Sequence, residues 1–150
     1  YRHFKSKTDI LKSVLIFFKE TMKHGLSTIV ENQELNGKHK VNAILDFQFS
    51  HFDKNPAIVM VIFAETSFQH EKVLSDMVLE ILNTKKALVE SIILLGQIDG
   101  SIRDDIDKEQ LSTLIMGSMR FTILRWRLNE YNFDLKNEGQ SLWKAIEKLL

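Results

Sequence analysis

The sequence predicts an all-α fold. Its apolar residues recur every three or four positions over long stretches, which is the spacing of the buried face of a helix. Only one proline and six glycines occur among the 150 residues, so few positions interrupt these stretches. With 44% hydrophobic and 27% charged residues, the chain has enough apolar side chains for one globular core. A parallel-sheet enzyme fold is therefore not expected.

The first predicted helix runs from about residue 7 to about residue 32. Ser6 and Asp9 have the spacing of a capping box, with Asp in place of the usual Glu or Gln. The apolar stripe that follows consists of Ile10, Leu11, Val14, Leu15, Phe18, Met22, Leu26, Ile29 and Val30. A helix of this length is long enough to connect two bodies.

Five more helices are predicted after a break at residues 34–37. The second ends at Asn55-Pro56, because proline fits the first position of the next helix, where its missing N–H costs nothing. That third helix is an almost wholly apolar, buried element over residues 58–68. A fourth begins at about residue 70 and closes between Gly96 and Gly100. After an acidic connector at 101–107, a fifth spans 108 to about 131, and a final helix of about four turns includes 142–149.

Composition excludes several classes of site. The chain has no cysteine, which removes disulfides, thiol catalysis and thiolate metal sites. No apolar run approaches the roughly eighteen residues of a membrane span, and no signal segment opens the chain. We therefore expect a soluble, cytoplasmic protein with no membrane partner.

Charge is balanced overall but unevenly distributed. The formal net charge is zero, from 20 Lys+Arg and 20 Asp+Glu. Residues 1–7, with the sequence YRHFKSK, contain three of the basic residues and none of the acidic ones. A basic end therefore precedes a slightly acidic body, which is compatible with contact to a nucleic acid.

The opening residues resemble a known family. YRHFKSK followed by Asp9-Ile10-Leu11 is similar to the end of the helix-turn-helix of TetR-family transcription regulators. The Asn55-Pro56 junction, the acidic connector at 100–107, and Gly117 and Trp126 resemble the C-terminal domain of that family. The resemblance implies that residues 1–7 end the DNA-binding domain and that residues 8–150 form a ligand-binding and dimerisation domain. It also implies a TetR-like fold of six helices that dimerises through a four-helix bundle.

The resemblance implies DNA phosphate contacts from Tyr1, His3 and Lys7, with Phe4 packed inside the helix-turn-helix. Lys7 would lie in the first turn of a helix, where free N–H groups already favour an anion. Such contacts position the protein on DNA and do not specify sequence. The alternative is that this segment is an ordinary solvated, basic end of a helix.

The last two helices are the predicted dimer face. Gly117-Ser118 lies within an apolar helix, where glycine costs about 1 kcal/mol relative to alanine and permits close helix approach. The resemblance predicts a two-fold interface formed by Gly117, Ser118, Leu142, Ile146 and Leu149. The alternative is that both helices pack only against the core of their own subunit.

The middle helices are rich in phenylalanine and methionine. Such residues at helical spacing usually fill a core, but they also line adaptable apolar cavities between helices. The resemblance places a ligand cavity here. The predicted ligand-binding residues are Gln48, Phe52, Phe63, Met77, Phe121 and Thr122, with Glu65 and Thr66 as further polar groups.

Nothing in the sequence favours an enzyme. The five histidines form no metal-binding motif, and the one combination worth retaining is His51 with Glu65 and His70. No nucleophile elbow and no phosphate-binding glycine loop occurs. We therefore expect no catalytic residue, no metal and no cofactor.

Together these observations predict a homodimeric repressor that binds operator DNA through its N-terminal head. A small, largely apolar effector would control operator affinity. The segment from Ile62 to Glu65 and the acidic connector resemble regulators of fatty-acid metabolism, which favours a fatty acid or an acyl-CoA. The alternatives are a TetR-like DNA-binding dimer without an effector, a plain helical dimerisation module and, last, an enzyme.

Overall fold

The fold consists of α-helices, as predicted. The computed structural model describes residues 6–63 and 71–150, and no β-strand occurs in these two ranges. The helices are α1 Lys7–Glu31, α2 Gly37–Lys54, α3 Pro56–Ile62, α4 Lys72–Asp99, α5 Lys108–Leu128 and α6 Leu135–Leu149.

Local sequence signals account for several helix ends. The Ser6 hydroxyl accepts the backbone N–H of Asp9 at 3.2 Å, which confirms the predicted start of α1. Pro56 occupies the first turn of α3, also as predicted. Gly100 ends α4 with a φ of +84°, a left-handed conformation that glycine adopts without steric cost.

Two helices are shorter than the sequence suggested. The helix predicted over 58–68 ends at Ile62, because Phe63 leaves helical geometry with φ −95° and ψ 10°; residues 64–68 lie outside the described ranges. α5 ends at Leu128 and not near residue 131, since Glu130 and Tyr131 adopt φ values of +55° and +62°. The Trp126 indole N–H holds this turn by donating to the carbonyl of Phe133 at 3.0 Å.

The core lies around α4, which packs against α1, α2 and α5, while α6 packs mainly on α2. The apolar stripes of these helices meet there, and the fully buried side chains include Leu15, Met22, Ile44, Ile92 and Met119. Among the residues that the structure describes, no helix is long and apolar enough to cross a membrane.

Candidate ligand-binding cavity

A cavity of about 320 Å³ lies between the first five helices. This volume is at the small end of the range for ligand pockets. It is lined by Phe18 and Met22 of α1, Phe52 of α2, Ile62 and Phe63 at the end of α3, Val78, Leu79, Ile81, Leu82, Asn83, Lys85 and Lys86 of α4, and Thr113, Met116, Gly117, Arg120 and Ile123 of α5.

The inner wall of the cavity is apolar, and the cavity is open to solvent on one side. Met22, Ile81 and Ile123 are nearly inaccessible to solvent and form the inner wall. Leu79 and Gly117 are exposed, so the cavity reaches the surface between α4 and α5. Such a shape suits a ligand with an apolar part that is buried and a second part that meets solvent.

Among the described residues that line this cavity, three are cationic and none is acidic. Lys86 pairs with Glu90 one turn along α4. The guanidinium of Arg120 lies over the Phe63 ring, 4.3 Å from its centre, which is a favourable cation–π geometry. The described part of the wall therefore carries basic and no acidic side chains.

Lys85 differs from its neighbour Lys86. It is partly buried, and no described carboxylate forms a salt bridge with it. Burial, and in second place the charge of Arg120, lowers the pKa of Lys85 from 10.5 to about 8. An anion bound beside Lys85 and Arg120 would relieve their repulsion.

The sequence analysis missed Lys85, Lys86 and Arg120. A signal was present, because Lys85 follows Ile81 by four positions and Leu82 by three, and so lies on the apolar face of α4. A lysine on such a face either extends its ammonium to solvent or lines a site. In the structure, Lys85 lies in the wall of the candidate ligand cavity.

Of the six predicted ligand residues, Phe52 and Phe63 lie in the cavity wall. Met77 and Thr122 do not line it, and the Thr122 hydroxyl donates to the Ser118 carbonyl at 2.8 Å within its own helix. Phe121 does not line it either and is 63% exposed on the outer side of α5. These three were predicted as ligand-binding residues and do not line this cavity. The sequence shows which residues are apolar but not which neighbour each one faces.

Gln48 is buried in the core outside the cavity wall. Its side chain is 1% exposed, and neither its amide nitrogen nor its amide oxygen has a hydrogen-bond partner among the described residues. A buried amide without partners costs about 1–3 kcal/mol. Gln48 lies one helical turn before Phe52, which does line the cavity.

His51 belongs to an aromatic cluster beside the cavity. Its ring stacks on Phe47 at 5.9 Å and lies 5.7 Å from Phe18. Burial, with a smaller contribution from Lys54, lowers its pKa, so its neutral form is favoured. The predicted partners Glu65 and His70 lie outside the described residues. Within residues 6–63 and 71–150, no three metal-ligating side chains come together.

An apolar stripe on α5 is exposed. Leu114, Phe121 and Leu128 follow one another at seven-residue spacing and are 64%, 63% and 70% exposed. Gly117 lies between this stripe and the cavity, and a Cβ added there would meet nothing within 4 Å. The close helix approach expected at Gly117 therefore does not occur within the described part of the subunit.

The predicted interface residues of α6 divide into two groups. Ile146 is 7% exposed and belongs with the partly buried Leu142 to the core of its own subunit. Leu149, by contrast, is 64% exposed. On α5, the predicted interface residue Ser118 donates its hydroxyl to the Ile115 carbonyl of its own helix. The α5 stripe and Leu149 therefore remain available for a partner.

Only one of the three predicted DNA-contact residues lies within the described ranges. Lys7 is exposed in the first turn of α1, as the capping pattern suggested, while Tyr1 and His3 lie outside these ranges. α1 also carries Phe18 and Met22 of the cavity wall, so one helix runs from Lys7 to the cavity.

The chain matches known proteins over nearly its whole length. Residues 14–148 match the TetR C-terminal family described as "YsiA-like protein, C-terminal region". The fatty acid metabolism regulator protein of Bacillus subtilis (strain 168) is 28% identical over 150 residues, covering 97% of this chain and 74% of that protein.

Solved structures have the same fold. The regulator FadR from Bacillus subtilis, in complex with stearoyl-CoA, is 22% identical with a TM-score of 0.78. The regulator MbdR from Azoarcus sp. CIB is 18% identical with a TM-score of 0.89. Each comparison covers 100% of this chain and 80% of the other. The chain therefore belongs to the TetR family of transcriptional regulators, in the group with the YsiA-like C-terminal region.

Proposed function

We propose that residues 8–150 are the sensing and dimerisation domain of a repressor whose operator affinity is controlled by a long-chain acyl-CoA. The observation that carries this proposal is an apolar cavity whose described lining residues include three cations and no acid. Support comes from the 28% identical regulator of fatty acid metabolism and from a solved FadR that holds stearoyl-CoA.

The energetics are compatible with an acyl chain. Burial contributes about 0.8 kcal/mol per methylene, so eight buried methylenes contribute roughly 6 kcal/mol before ordering costs. Lys85, Lys86 and Arg120 would attract the phosphates of coenzyme A, which carry more charge than the single carboxylate of a fatty acid. The cations thus favour acyl-CoA over the free acid.

Gln48 is part of this proposal. Its amide is buried without a partner one turn from the cavity wall, so a polar group of the effector or a water beside it would satisfy a costly hydrogen-bonding deficit. Phe52 and Phe63 would contact the apolar chain. Met77, Phe121 and Thr122 have no ligand role in it.

α1 is the element that would couple the two sites. It begins at Lys7 and contributes Phe18 and Met22 to the cavity, so a shift of this helix would change the position of the DNA-binding head. The effector must prefer one position of the helix, because a ligand that binds both positions equally changes nothing.

Calorimetric titration of the dimer with acyl-CoAs of increasing chain length tests the proposal. Affinity should rise by up to about fourfold per methylene and then level off once the cavity is full. Operator DNA should dissociate over the same concentration range. Binding that is indifferent to chain length would contradict the proposal and favour a dimer without an effector.

For DNA we propose phosphate contacts from Tyr1, His3 and Lys7. Lys7→Ala in the complete regulator should weaken binding about equally on all sequences and reduce the salt slope by about one unit, because one phosphate contact is lost. Filter binding at several salt concentrations measures this slope.

Lys23→Ala is the matched control for Lys7. Lys23 is an exposed lysine on the same helix, about 24 Å further along its axis. Loss of the Lys23 side chain should leave the salt dependence of DNA binding unchanged. A Lys7 variant that loses operator preference but retains nonspecific affinity would refute the phosphate role.

A further inference from the structure

Two adjacent lysines of α4 have different surroundings. Lys86 pairs with the carboxylate of Glu90. Lys85 lies on the face shared with Val78 and Ile81, in the cavity wall, without a salt bridge to any described carboxylate. Of these two ammonium groups in the cavity wall, only that of Lys86 has a carboxylate partner among the described residues.

This environment increases the neutral fraction of the Lys85 amine. Its pKa of about 8 follows from burial and from the charge of Arg120. At pH 7.5 roughly a quarter of such amines are neutral, against about one in a thousand at the ordinary value. Lysines desolvated in an apolar pocket or placed beside another cation are nucleophiles for this reason.

We propose that Lys85 is a site of self-acylation, at which its Nζ attacks the thioester carbonyl of an acyl-CoA held in the cavity. The inference rests on the proposed function, since that function supplies the thioester. The Nζ–carbonyl bond forms and the carbonyl–sulfur bond breaks. Coenzyme A leaves as its thiol, because the departing sulfur takes up the proton that the amine loses, and nothing is oxidised or reduced.

The product would retain the effector. An amide at Lys85 removes the charge that repels Arg120 and tethers the acyl chain to the wall that binds it. The acylated regulator would remain in its liganded state after the concentration of free acyl-CoA has fallen.

Intact-mass measurement of the complete regulator, incubated with palmitoyl-CoA, tests the inference. One acyl group per chain should be added, with stoichiometric release of coenzyme A thiol. Peptide mapping after cleavage at glutamates should place the acyl group on Lys85. The rate should rise with pH and level off above about pH 8.

Two variants and one analogue complete the experiment. Lys85→Arg retains the charge and should abolish acylation. Lys72→Arg, at an exposed lysine of the same helix outside the cavity wall, should be acylated like the wild type. A thioether analogue of palmitoyl-CoA, which cannot transfer its chain, should bind without modification.

The outcomes separate the two proposals. If the thioether analogue binds but palmitoyl-CoA leaves the protein unmodified, the self-acylation is refuted and the proposed function stands. Modification spread over surface lysines, or placed on Lys86, also refutes it. If the analogue does not bind, the proposed function fails and this inference fails with it.

Discussion

The double variant Phe121→Glu, Leu128→Glu should convert the dimer to a folded monomer. Both side chains are more than 60% exposed on one face of α5, so the charges do not disturb the core of the subunit. In a two-fold interface each carboxylate would be buried against the partner's apolar stripe, without a cation to compensate it. Sedimentation velocity measures the mass, and circular dichroism should show unchanged helix content.

Loss of the dimer should also weaken operator binding by about 10²–10⁴-fold, because two linked DNA-binding heads bind as one bivalent unit. Met60→Glu is the control, since Met60 is a similarly exposed apolar residue, 54% accessible, on α3 and not on the α5 stripe. Ile146 is unsuitable for this experiment, because it is buried in its own subunit and a charge there would disturb the fold. A double variant that remains dimeric would refute the prediction that the dimer forms through the α5 stripe.

Gly117→Phe should produce a repressor that binds DNA but responds to acyl-CoA only at concentrations at least about fifteenfold higher. Gly117 lines the cavity, and an added Cβ meets nothing within 4 Å, so a phenyl ring can enter the space without a clash at its base. Exclusion of only two methylenes costs about 1.6 kcal/mol, which is a roughly fifteenfold loss of affinity. Calorimetry and operator release measure the two effects.

Gly117→Ala is the matched control. Alanine supplies the helix propensity that glycine lacks, so this variant should gain up to about 1 kcal/mol in the free energy of unfolding. It adds little volume and should bind acyl-CoA as the wild type does. If Gly117→Phe is monomeric instead of less responsive to acyl-CoA, Gly117 contacts the partner subunit and not the ligand.

Several features of the chain could be predicted from sequence because they depend on neighbours along the chain. The start of α1 follows from the Ser6 hydroxyl and the N–H of Asp9, and the end of α4 follows from the conformational freedom of Gly100. The helical class follows from the spacing of apolar residues, which needs no tertiary contact. The family resemblance at residues 1–10 and in the later motifs was also present in the sequence, and residues 14–148 match that family.

The tertiary structure decided which side of each helix faces the cavity. Phe52 and Phe121 have the same side chain and both follow a helical spacing, yet Phe52 lines the cavity and Phe121 is exposed. The difference depends on how α2 and α5 are rotated against α4, and periodicity along one helix does not contain that rotation. The pKa of Lys85 also depends on the tertiary structure. It is lowered by burial in the packed helices and by the charge of Arg120, which is 35 positions away in the chain. Sequence therefore determined the approximate positions of the helices. The tertiary structure decided where α3 and α5 end and which side chains face the cavity.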